Sequence, residues 1–170
     1  MLRHVFPLVL LLLLPLIACC SVNPMVIQAR QLYYQANNGD KYCKAFFDKM
    51  ASADATGNAV VLCYKGVASV MRAKYSYNPF AKLSCFNQGK ELIEQAVDTE
   101  PGNVEIRFLR FCVQSQAPGL LGYNGSIKAD KQLILAKWTA VADADLKQKI
   151  KAYMLQYGHC DPADVAIFNK

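Results

Sequence analysis

The feature that most restricts what this chain can fold into is its punctuation. Asn-Pro or Asp-Pro stands at Asn23-Pro24, Asn78-Pro79 and Asp161-Pro162. Glycine precedes Asn or Asp at Gly39-Asp40, Gly57-Asn58 and Gly102-Asn103. Proline lacks a backbone N–H and has a fixed φ, so it fits the first helical position behind a capping residue. Asn and Asp side chains accept hydrogen bonds from the orphan N–H groups of a first helical turn, and glycine closes the helix before them. The pieces between these marks have helix lengths, and few of them alternate with period two.

Apolar residues inside the pieces recur at helical spacing. Leu146, Ile150, Tyr153 and Tyr157 form one stripe; Ile127, Ile134, Trp138 and Val141 form another; Val104, Phe108, Phe111 and Cys112 form a third. Asn58 to Met71 is apolar nearly all round, which predicts a central, buried helix. The expected helices lie near residues 25–37, 41–55, 59–75, 79–99, 104–116, 126–142, 144–157 and 162–168, giving an all-α fold of about seven to eight helices.

The order of these helices resembles tetratricopeptide repeats, which stack antiparallel helix pairs of about 34 residues. Ala59 to Ala68 carries the clearest match, with Leu62 and Gly66 placed as in the repeat's first helix. Gln95 to Asn103 is similar to the end of a second helix, with alanine, acidic residues and then Pro-Gly-Asn. The repeats are degenerate. Lys74 to Leu83 is an insertion that a regular repeat lacks, and Ala117 to Gly125 interrupts the third pair. A helical bundle outside the repeat pattern is the alternative architecture.

The first nineteen residues form a separate unit. Arg3 and His4 precede an almost unbroken apolar run from Val5 to Ile17. That is the layout of a secretory signal peptide, and it is shorter than the ~20 apolar residues a spanning helix needs. Leu16-Ile17-Ala18-Cys19 resembles the lipobox of bacterial lipoproteins, in which the cysteine thiol is acylated and becomes the new N-terminus. The resemblance implies lipidation at Cys19 and a chain held on a membrane of the bacterial envelope; plain secretion or a soluble periplasmic chain is the alternative. Residues 20–170 then form a single helical-repeat domain. Within it, Glu94 to Val97, Glu105 to Arg110, Pro118 to Tyr123 and Asp130-Lys131 resemble a family of exported helical proteins of Bacteroidota-type bacteria. That likeness bears on fold and compartment and implies no activity.

Composition narrows the function. The chain carries a net charge of +6, scattered along the sequence. A mildly basic surface suits an anionic membrane or an acidic partner, and the absence of a clustered basic stripe argues against nucleic acid. Of seven cysteines, no two beyond the adjacent Cys19-Cys20 pair are close enough to form a C-x-x-C motif. Four of the others sit in apolar stretches, where small buried thiols are the simplest reading, and spacing alone sets no disulfide pairing. Beyond the leader the only histidine is His159. Histidine-based triads and multi-histidine metal sites are therefore hard to build. No phosphate loop or dinucleotide turn is present. His159-Cys160-Asp161 reads as a turn and a helix cap, and Asp143 and Asp145 as acids favoured at a helix start. No cofactor and no metal are expected.

One polar constellation stands out. Asn103, Arg107, Arg110 and Gln114 are spaced by three and four and so share one face of one helix. Two arginines in a concave groove could hold a carboxylate by bidentate hydrogen bonds. Alternatively the arginines pair internally with Glu105, Asp130 or another acid, since a buried arginine needs a partner. The expectation is a non-enzymatic, membrane-anchored interaction or assembly module that binds a protein or peptide segment, acidic in character. An envelope enzyme, or an accessory subunit of one, without a histidine-based site is the alternative.

Overall fold

The computed structural model describes residues 23–170; the leader, Cys19 and Cys20 lie outside the described residues. Among the described residues every regular element is helical. In chain order they are α1 (Pro24–Ala36), α2 (Asp40–Ser52), α3 (Ala59–Lys74), α4 (Pro79–Thr99), α5 (Val104–Gln116), α6 (Ile127–Lys137), α7 (Ala144–Tyr157) and α8 (Pro162–Phe168). Single 3-10 turns occupy Gly119–Leu121 and Trp138–Ala140.

The punctuation acts as local chemistry says it should. Asn23, Asn58, Asn78 and Asn103 cap α1, α3, α4 and α5, each side chain accepting from backbone N–H groups of the first turn. Asp143 caps α7 by accepting from Leu146 N. Asp161 and Asp164 exchange hydrogen bonds in a capping box at α8. One helix start and two helix ends differ in detail from what the sequence predicts. Gly39, not Asp40, is the residue before α2, and its φ of 140° is a conformation that favours glycine. The second helix stops at Ser52 because Ala53 turns extended and the Asp54 side chain accepts from Thr56 N, an alternative to the helical ladder. Lys65 Nζ donates to the freed Ala53 carbonyl at 2.8 Å. The sixth helix tightens into the 3-10 turn at Trp138 and does not run on to residue 142.

The helices form antiparallel pairs whose first members stack. α1 packs on α2, α3 on α4 and α5 on α6; α1 also packs on α3, α3 on α5, and α5 on α7. The α3–α4 pair makes the most extensive contact, and two glycines permit it. A Cβ at Gly66 would lie 2.6 Å from the Gly89 carbonyl oxygen, and a Cβ at Gly89 would lie 2.5 Å from that of Gly66. Nearby, Ser69 Oγ donates to the Cys85 carbonyl at 2.8 Å. These contacts set the register, with α3 and α4 running in opposite directions.

Two apolar cores meet at α5. One gathers Phe46, Tyr64, Val67, Ile93 and the α5 residues Ile106, Leu109 and Val113. The other gathers Ile134, Trp138, Ile150, Met154 and the α5 residues Phe108, Phe111 and Cys112. Helix α3 is central, as its all-round apolar sequence predicts, and α5 is equally enclosed. The sequence of α5 hides this, because the helix also buries Glu105, Arg110 and Gln114. Burying charge is costly without a partner, so their partners define the next level of structure.

Candidate functional site: an internal ion network and an apolar groove

The four residues singled out on α5 turn toward α4 and α6. Asn103 is the cap of α5; its Oδ1 accepts from Glu105 N and Ile106 N, and its Nδ2 donates to Glu100. Arg107 Nε donates to the Pro101 carbonyl at 2.8 Å and its Nη1 to Asp130 at 2.6 Å. Arg110 forks onto the same carboxylate, Nε to Oδ2 at 2.8 Å and Nη2 to Oδ1 at 2.7 Å, while its Nη1 donates to Glu94 at 2.6 Å. Gln114 Oε1 accepts from Ser126 N at the start of α6. All three guanidinium nitrogens of Arg110 are engaged within the chain, and the residue is 5% exposed.

Asp130 is fully buried and receives both arginines. Glu94 is shared in turn: its Oε1 accepts from the Tyr123 hydroxyl at 2.6 Å. Burial works against the Arg110 charge, but hydrogen bonds and attraction from Asp130 and Glu94 outweigh it and raise the guanidinium pKa above its ordinary value. Burial first, and Glu94 second, push the Tyr123 hydroxyl up. This network ties α4, α5 and α6 together.

A second network, absent from the sequence reading, ties α1, α5 and α7. Arg30 forks onto Glu105, with Nε to Oε1 at 3.0 Å and Nη2 to Oε2 at 3.1 Å. Its Nη1 reaches Asp143 at 2.9 Å and Asp145 at 3.2 Å. The Tyr64 hydroxyl donates to Glu105 Oε1 at 2.8 Å. Burial opposes the Arg30 charge, yet Glu105 and Asp143 more than compensate and its pKa is raised. For Asp143, burial also opposes the charge, but the Leu146 N–H and Arg30 hold its carboxyl below the usual range. Asp143 and Asp145 thus do more than favour a helix start: they receive a cation from α1.

The open surface lies elsewhere. The C-terminal ends of α1, α3 and α5, the start of α4 and the loop after α5 enclose an apolar groove of about 700 Å³. Tyr33, Val67, Phe86, Cys112 and Val113 form its buried floor. Leu83 and Leu120 stand at its mouth, Leu120 being 88% exposed. Asn37 and Gln116 are the neutral polar amide side chains in its lining. Its only charged lining residues are Lys74 and Lys82, and neither pairs with a carboxylate among the described residues. The stretches read as departures from a regular repeat, Lys74 to Leu83 and Ala117 to Gly125, supply much of this mouth. Its residues come from four separate stretches of the chain, so no local pattern marks it.

Chemistry in the groove is limited by what lines it. The lining has a cysteine but no carboxylate and no histidine. Burial pushes the Cys112 thiol up, away from the thiolate that attacks electrophiles. The five described cysteines are free thiols. His159, the one non-glycine residue with positive φ among the described residues, sits in the turn between α7 and α8, with Asp161 capping the next helix. Among the described residues no group of three or more His, Cys, Asp or Glu side chains is placed to hold a metal ion, and no helix is long and apolar enough to cross a membrane. Compared with protein-family models, with curated proteins and with solved structures, the chain has no match.

Proposed function

We propose that this chain is a non-enzymatic, membrane-anchored helical-repeat protein of the bacterial envelope that acts as an interaction or assembly module. The observation that supports this most is the groove: a half-open apolar surface rimmed by two lysines without acidic partners. Exposed apolar patches of this kind mark places where partners bind, and the cations favour a partner segment carrying acidic residues. Arg110, whose guanidinium nitrogens are all engaged inside the chain, holds the array in shape, and the groove does the binding.

The anchor in this reading is Cys19, acylated as the lipobox-like Leu16 to Cys19 implies. Pro24, the first residue of α1, follows closely. The 13 residues of α1 carry the chain about 20 Å at the helical rise per residue, to the end where the groove lies. A lipid at Cys19 would therefore hold the opposite end of α1 at the bilayer and leave the groove facing the aqueous compartment. The reading resembles tetratricopeptide proteins in using the stacked first helices as the binding side.

One fractionation tests anchor and groove together, with wild type, Cys19→Ser and Leu83→Asp combined with Leu120→Asp carried in parallel. Cys19→Ser is expected to keep its leader, uncleaved by the lipoprotein peptidase, and to take up no labelled palmitate. The double aspartate variant is expected to stay anchored and fully helical while co-isolating at least tenfold less of the partner protein. Unchanged processing and palmitate labelling of Cys19→Ser remove the anchor from the proposal. Unchanged partner recovery by the double variant removes the groove.

A further inference from the structure

We infer that the occupant of the groove is an amphipathic α-helix of about two to three turns with acidic residues gathered at one end. The inference rests on the proposed binding function and names the partner's chemistry.

Length comes first. On α3 the lining runs from Val67 to Lys74, and on α4 from Pro79 to Phe86. Each stretch is about 10 Å at 1.5 Å per residue, so the trough seats roughly two turns of a helix lying beside α3 and α4.

Backbone chemistry comes second. An extended segment would bring unpaired N–H and C=O groups against an apolar floor, and each buried group needs a partner. Against these the lining offers the amide side chains of Asn37 and Gln116, the latter already donating to Tyr153, and no strand edge. A helix satisfies its own backbone, so it alone among peptide conformations can enter without that cost. Openness comes third. The floor is buried, but the mouth at Leu83 and Leu120 faces solvent along the trough. An occupant must therefore show an apolar side to the floor and a polar side to water. An acyl chain has no polar side along its length; an amphipathic helix does.

Charge gives the occupant a direction. The contacts of Gly66 with Gly89 and of Ser69 with Cys85 put Lys74 opposite the first turn of α4, where Lys82 lies. Both cations therefore crowd the end of the groove next to the α3–α4 turn. Tyr77 and Phe80, both largely exposed, flank that same end. Acids at one end of the incoming helix meet the lysines there, while its leucine-like anchors reach Val67, Val70 and Phe86.

The test uses the full-length chain, freed of detergent, and a fluorescent stapled twelve-residue helix with leucines at i, i+3, i+4 and i+7 and two glutamates at one end. Three competitors accompany it: a permutation without the apolar stripe, a version with lysines replacing the glutamates, and palmitate. The glutamate-ended helix is expected to bind at least tenfold tighter than the permutation and than the lysine-ended version. Lys74→Glu combined with Lys82→Glu should invert that last preference while leaving helicity unchanged. Equal binding of helix and permutation overturns the inference, and so does saturable palmitate binding with no helix binding. If the stapled helices fail while the Leu83 and Leu120 variant still loses the envelope partner, the inference falls and the proposed function stands. If both fail, both fall.

Discussion

Arg107→Ala combined with Arg110→Ala is expected to lower the melting temperature by roughly 6–20 °C. Asp130 is 0% exposed and takes three hydrogen bonds from these two arginines. Stripping the cations leaves a buried carboxylate without compensation, a loss of ~3–5 kcal/mol. A domain of this size loses ~2–4 °C per kcal/mol. Glu94 loses its arginine as well and keeps only the Tyr123 hydroxyl. Adding Asp130→Leu to the double variant should recover part of the loss, because replacing both members of a buried pair by apolar groups is often close to neutral. Thermal melts followed by circular dichroism decide the matter. A double variant that melts within 2 °C of wild type would mean that the network contributes nothing to the fold.

The second large effect is expected at the crossing of α3 and α4. Gly66→Leu should cost ~1–3 kcal/mol or more through overpacking, since even the Cβ of the new side chain meets the Gly89 backbone oxygen at 2.6 Å. The first leucine carbon beyond it has nowhere to go, so the two helices must separate. Gly89→Ala makes the same demand from the other side, at 2.5 Å from the Gly66 oxygen. The cost should therefore appear in both variants and add poorly in combination, because one separation relieves both clashes. Chemical denaturation of the three variants measures this. Full additivity, or a neutral Gly66→Leu, contradicts the close crossing.

These two sites show what a sequence of this kind does and does not disclose. Helix ends are local: an asparagine side chain bonding N–H groups two or three residues ahead is legible from the dipeptide alone, and Asn58, Asn78 and Asn103 all cap as their positions imply. Gly66 was legible as a packing glycine through its likeness to a repeat position, whereas its counterpart Gly89 carried no such mark. The shared face of Asn103, Arg107, Arg110 and Gln114 followed from spacing. Its direction did not, because it depends on Glu94 from α4 and Asp130 from α6 arriving at the same place. The Arg30–Glu105 pair is further from view still, joining residues 75 positions apart. The groove has no signature at all, since Tyr33, Val67, Phe86 and Val113 each contribute one apolar surface from a different helix.

Nor does periodicity alone distinguish a helix that is enclosed from one that is half exposed when polar residues are paired. Helix α5 looks amphipathic in sequence, yet it buries nine residues, as many as the visibly apolar α3. Arg110 and Glu105 are hidden by bidentate pairs with Asp130 and Arg30, which exchange hydration for fixed hydrogen bonds. That division of labour leaves the lysines at the groove, Lys74 and Lys82, as the cations available to a partner there.

The most direct measurement of the central claim is site-specific photo-crosslinking in intact envelopes. Benzoylphenylalanine is placed at Leu120, at the mouth of the groove, and in a second strain at Gln132, exposed on α6 away from it. The account predicts a discrete protein adduct from position 120 that disappears with Lys74→Glu and Lys82→Glu, and no such adduct from position 132. An adduct from position 132 with none from position 120 would contradict it.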